Sequence, residues 1–98
     1  MKYRFLARAG AEFEEAIERY DEKRFGLGQE FSDAVYAAIQ RIQEFPESHS
    51  IYLGPYRYCP TERFPYIVIY RFDEMIHIAA VAHTSRKPGY WLNRDRDA

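Results

Sequence analysis

The chain has 98 residues, 30% of them charged, and a net charge of −1. A single core typically spans about 50 to 200 residues, so one domain over residues 1–98 is expected, and the near-neutral balance argues against a dedicated nucleic-acid binder. The longest apolar run falls far short of the roughly 20 residues that cross a bilayer, and the charged start Met1-Lys2-Tyr3-Arg4-Phe5 is unlike the apolar block of a signal peptide. No membrane partner is expected, and a cytoplasmic location is the default. The lone cysteine, Cys59, excludes an internal disulfide and reads as a packed thiol. Charge is unevenly spread: residues 1–48 carry seven basic and ten acidic side chains, and residues 49–98 carry seven and five.

Taken in order, Lys2 to Leu6 alternates as a short strand, with Tyr3 and Phe5 on its apolar face. From about Ala9 to Arg24 the period becomes helical. Phe13, Ala16, Ile17 and Tyr20 line one side, and Glu12, Glu14, Glu15 and Glu18 are read as a solvated face. Gly26-Leu27-Gly28 supplies a reversal. A second helix carries Phe31, Ala34, Val35, Ala38, Ile42 and Phe45 on one side and stops at Pro46. Residues 47–55 are expected to be a loop holding a solvated His49. Tyr56 to Cys59 reads as a short strand and Thr61-Glu62 as a turn.

Residues 63–83 then read as a β-hairpin turning at the two-residue loop Asp73-Glu74. Ile67-Val68-Ile69 and Ile78-Ala79-Ala80-Val81-Ala82 do not alternate with polar residues, which implies central strands buried on both faces. The expected fold is α+β: a strand, an antiparallel helical hairpin, then antiparallel strands, with the helices on one face of a small, mostly antiparallel sheet. The other face, rich in tyrosine (Tyr56, Tyr58, Tyr66, Tyr70), is expected to be half covered and to dock a partner.

No phosphate-cradling loop, metal-ligand spacing or nucleophile triad can be argued; His49, His77 and His83 are scattered. No cofactor and no metal are expected. What remains is His83, Arg86, Tyr90 and Trp91 after the last strand, with Arg63 and Arg71 near it. A histidine or tyrosine with arginines can cleave RNA without a metal, by proton transfer and charge neutralisation. Arginine's planar fork suits phosphate, and Tyr90 or Trp91 could stack on a base. The structural alternative is that His83 caps a strand end, Arg86 pairs with an acid and Trp91 packs into the core.

At these residues the chain resembles the RelE/ParE superfamily of type II toxin-antitoxin toxins, also described as plasmid stabilization proteins. Arg63-Phe64-Pro65-Tyr66 leading into Val68-Ile69-Tyr70-Arg71, and Val81-Ala82-His83 followed by Arg86, Pro88 and Trp91, carry the likeness. The resemblance implies a strand, a helical hairpin and a three-stranded antiparallel sheet. In its RelE-like branch it implies a ribosome-dependent mRNA endonuclease, in its ParE-like branch a toxin acting on DNA gyrase. Arg86 and Tyr90 match the RelE-like pattern, but an arginine of that pattern falls at Ile67, and only Arg57 answers its lysines. The resemblance therefore favours the ParE-like branch: a non-enzymatic, growth-inhibiting toxin with gyrase as target and a cognate antitoxin as partner. That antitoxin is expected to lie along the helical hairpin and the exposed sheet face. Arg57, Tyr66, Tyr70, Arg71 and Trp91 would then contact target or antitoxin. The alternatives are a metal-independent endoribonuclease using Arg63, His83, Arg86 and Tyr90 on ribosome-bound mRNA, and an inactive relative.

Overall fold

The structure is a computed structural model and describes residues 1–94. Its elements run β1 (Tyr3–Phe5), α1 (Ala7–Lys23), α2 (Leu27–Glu44), β2 (Ser50–Leu53), β3 (Tyr56–Pro60), β4 (Tyr66–Phe72) and β5 (Ile76–His83). The strands form one sheet in the order β1-β5-β4-β3-β2. β1 runs parallel to β5 and every other pair is antiparallel. The α+β fold expected from the sequence is present. Among the described residues no helix is long and apolar enough to cross a membrane.

The helical hairpin forms because both helices carry an apolar stripe that needs a cover. Ala9, Phe13 and Ala16 of α1 and Phe31, Val35, Ala38, Ile39 and Ile42 of α2 are buried. Burying side chains the size of Phe31, Val35 or Ile39 stabilises by about 1.5–3 kcal/mol each. The reversal between helices uses Gly26 at φ +86°, a left-handed conformation open to glycine. Gly28 has a different role. A Cβ there would lie 2.6 Å from the Ile17 carbonyl oxygen and 2.7 Å from Asp21, so its missing side chain is what lets the helices approach. Its N–H donates to Asp21 Oδ1 at 2.8 Å.

In the central hairpin β4 alternates cleanly. Tyr66, Val68 and Tyr70 face the helices, while Ile69 and the half-buried Ile67 face away. β5 does not alternate, because a β-bulge interrupts it: Ile69 is opposite Ala80, Tyr70 is opposite Ile78, and Ala79 has no counterpart. Ile76, Ile78 and Val81 therefore face the helices, and Ala79, Ala80 and Ala82 face the other way. Both strands are buried on both faces.

Four local expectations are corrected. The 47–55 segment contains a strand, β2, paired with β3 through a reversal at Gly54, φ +56°; four residues at a sheet edge leave little periodic signal. His49 is half-buried rather than solvated, with Nε2 3.1 Å from the Arg41 carbonyl oxygen. Phe45 lies beyond the last helical turn and is 62% exposed. The β4–β5 loop has three residues, Asp73 to Met75. In place of a glycine, the Asp73 carboxylate accepts from the Met75 N–H at 3.1 Å and from His77 Nε2 at 3.0 Å. Arg4 Nε donates to the other ring nitrogen of His77 at 2.7 Å, which ties β1 to the hairpin turn.

The tyrosine-rich face is also corrected. Tyr66 and Tyr70 point into the helix-side core, and burial pushes the Tyr70 hydroxyl up to about 12. Tyr56 and the half-buried Tyr58 lie on the opposite face in one cluster with Ile69, the β5 alanines and Trp91, which is only 1% exposed; Trp91 packs on Tyr56 and on Tyr52, and Tyr52 packs on Tyr58.

Gly28→Ala is expected to destabilise the fold by about 1–3 kcal/mol, read by chemical denaturation, because the clash is with backbone. The Asp73 carboxyl is held below its usual range by the Met75 N–H, then by His77 and Arg71. A carboxyl depressed in the folded state contributes stability that is present above its unfolded value of about 4 and lost as pH falls below it. Asp73→Asn should therefore lower stability at neutral pH and flatten the loss seen on acidification below about pH 4.

Candidate functional site

β5 ends at His83, directly opposite Tyr66 at the start of β4, and α1 passes over this end of the sheet. Two adjoining clefts result, of about 140 Å³ and about 220 Å³, which share Arg19, Tyr66 and His83 as walls. Glu12, Glu15, Val81, Arg86 and Tyr90 complete the first. Tyr20, Lys23 and Pro65 complete the second. Phe64 and Tyr66 insert beneath Tyr20 and Phe31, with ring centroids 4.8–6.1 Å apart. That insertion is the structural content of the Arg63-Phe64-Pro65-Tyr66 motif.

The best-defined chemistry is at Glu12. Past Ile78 the short β1 has ended and β5 continues with backbone groups that no strand pairs. Glu12 Oε1 accepts from the Val81 N–H at 3.1 Å, and Arg94 donates to the Ala79 carbonyl at 2.9 Å. Arg94 and Glu12 also bind each other through two bonds of 2.7 and 3.0 Å. The Tyr90 hydroxyl donates to Glu12 Oε2 at 2.5 Å, the oxygen that also accepts from Arg94 Nη2. Burial and this bond to Glu12 push the Tyr90 pKa far up. Burial alone would lower that of Arg94, but the Glu12 carboxylate outweighs it. Arg86 lies over the Tyr90 ring, 3.9 Å from its centroid.

His83 Nδ1 accepts from the Ser85 N–H at 3.0 Å. Since a backbone N–H can only donate, neutral His83 carries its proton on Nε2. The ring stands edge-on to Tyr66, centroids 5.3 Å apart. His83, Arg86 and Tyr90 thus converge on one cleft. Arg63 does not join them: it is held by Glu30 at 2.9 Å and adopts φ +71°. Arg57, on β3, donates to the His49 carbonyl, and Arg71 pairs with Asp73 at the far end of β4. Tyr70 is fully buried, its hydroxyl bonded to the Pro46 carbonyl, and Trp91 is sealed under the sheet. Tyr66 keeps only 6% exposure, at the cleft wall.

The residues that sequence reasoning passed over are on α1. Glu12, read as solvated, is instead the hub of the network, because α1 crosses the free edge of β5 at that point. Glu12, Glu15, Arg19 and Lys23 recur at spacings of three and four, one stripe of a helix beside its apolar face. That periodicity was the available signal. Among the described residues no cluster of three histidine, cysteine or acidic side chains could hold a metal ion.

An α-helical hairpin laid on a mostly antiparallel sheet, with a cleft at the strand ends, defines a small α+β protein. The sequence pattern of the family described as ParE toxin of type II toxin-antitoxin system, parDE, matches residues 3–88, and the chain belongs to that family. A solved structure, the chromosomal ParDE TA system from P. aeruginosa, superposes with a TM-score of 0.75 at 14% identity, over 85% of this chain and 95% of that one. At that identity it shows a shared fold. No curated protein matches the chain.

Removing one partner of a buried pair costs about 3–5 kcal/mol. Arg94→Leu should approach the lower end, since the Glu12 side chain keeps 16% exposure. The measurement is the urea midpoint of Arg94→Leu against that of Arg24→Leu, whose surface pair should contribute at most about 1 kcal/mol.

Proposed function

We propose that this chain is a ParE-like toxin that arrests growth by poisoning a protein target, DNA gyrase, in the cytoplasm, and that a cognate antitoxin neutralises it; such a pair would also stabilise a plasmid that carries it. Family membership supports the toxin reading, and the one observation that carries the choice of a protein target is the state of Tyr90. Its hydroxyl is bound to Glu12 and its pKa is pushed up, so it supplies neither a phenolate base nor a free donor to a ribose or leaving oxygen. Arg63 is paired elsewhere, with Glu30. Glu15 also stands in the cleft wall, where a phosphate backbone would meet like charge.

The purified protein is expected to inhibit supercoiling of relaxed plasmid by gyrase and to leave ribosome-bound message intact. Cleaved message with undisturbed supercoiling would sink the proposal in favour of the endoribonuclease. Normal growth on induction of the chain alone would favour an inactive relative.

A further inference from the structure

We infer that His77 is an acid-sensitive latch on β1: a proton added at its Nδ1 breaks the bond to Arg4 and frees the N-terminal strand from β5, while the rest of the sheet stays paired.

The latch is built from a row of side chains across three strands. Arg4 of β1 lies opposite His77 of β5, and His77 lies opposite Arg71 of β4. Their neighbours Tyr3, Phe5, Ile76, Ile78, Tyr70 and Phe72 pack toward the helices, so the row is on the other face of the sheet. His77 is only 7% exposed, and both of its ring nitrogens are engaged. Nδ1 accepts from Arg4 Nε at 2.7 Å, and Nε2 lies 3.0 Å from Asp73 Oδ1. An arginine can only donate, so Nδ1 carries no proton; the ring is neutral, with its proton on Nε2 and shared with Asp73.

The charged groups that face this ring are Arg4 from β1, Arg71 from β4 and Asp73 from the turn, with Lys2 two residues before Arg4. Asp73 is the only carboxylate among them, and Arg71 already pairs with it at 3.4 Å. A proton on Nδ1 turns the acceptor of Arg4 into a second donor and places like charges side by side. On the Nε2 side the same proton strengthens the bond to Asp73, because an imidazolium donates to a carboxylate better than a neutral ring does. The Asp73 carboxyl, held below its usual range, is still ionised where histidines titrate. One event therefore tightens the turn and releases Arg4.

β1 is a three-residue strand with one neighbour. Its pairing is reported by two amides: the Ile76 N–H donates to the Lys2 carbonyl at 2.8 Å, and the Leu6 N–H to the Ile78 carbonyl at 2.9 Å. Release of β1 leaves Ile76 to Ile78 as an open sheet edge.

Hydrogen exchange at those two amides is the test, as protection factors corrected for intrinsic rates and taken relative to Val35 and Ile39 inside α2. Between about pH 7 and about pH 5 the relative protection of Leu6 and Ile76 should fall about tenfold, the equivalent of one hydrogen bond lost. His77→Asn keeps an acceptor in the place of Nδ1 and has no proton to gain, so its relative protection should not change with pH. Arg4→Leu, an exposed position, should show reduced protection at pH 7 and no further fall on acidification. Constant protection in the unaltered chain, an equal fall at Val35 and Ile39, or a fall that persists in either variant overturns the latch.

Discussion

Everything at the functional end of the molecule depends on how the free edge of β5 is closed. β1 covers only Ile76 to Ile78 of a strand that runs to His83, and beyond it a buried strand would expose unpaired backbone, costly to leave unsatisfied. Glu12 and Arg94 take those groups, so an ion pair stands where another sheet would place a strand. The pair is tolerable because every charged oxygen has a donor. It has one residual cost: the Arg94 Nε and Trp91 Nε1 are buried without a partner among the described residues. Because Tyr90 shares the same carboxylate, closing the edge also fixes the ring on which Arg86 rests.

The central hairpin fixes the rest by exclusion. Both of its faces are buried, one by the helices and one by the Trp91 segment. Among the described residues, what the hairpin itself leaves accessible lies at its ends. At the Asp73 end the charged groups satisfy each other.

Much of the fold was legible because it rests on periodicity. The helices show as stripes at Phe13, Ala16, Tyr20 and at Phe31, Val35, Ala38, and the central strands show as unbroken apolar runs. Three things were hidden, each for a physical reason. The bulge at Ala79 reverses the facing of β5, and an alanine run has no polar residue to mark the reversal. Tyrosine is amphipathic, so composition could not tell Tyr66 and Tyr70 in the core from Tyr56 and Tyr58 beneath Trp91. The role of Glu12 depends on partners at Val81, Tyr90 and Arg94, 69 to 82 residues away, and no local pattern encodes that distance. His83, Arg86 and Tyr90 were found from their order after the last strand, but the α1 wall facing them was not.

The pairing of β1 with β5 sets an order in time. During synthesis the helical hairpin is complete long before Ile76 to Ile78 exist, so β1 has no strand to join and Phe13, Phe31 and Val35 have no sheet to cover them. Such distant pairings are slow to form, because loop closure must come before the contacts that reward it. Glu12 waits longer still, for Arg94. The nascent chain therefore carries an uncovered apolar helical face from the completion of α2 until β5 has been made, and the Glu12 network closes only once Arg94 follows.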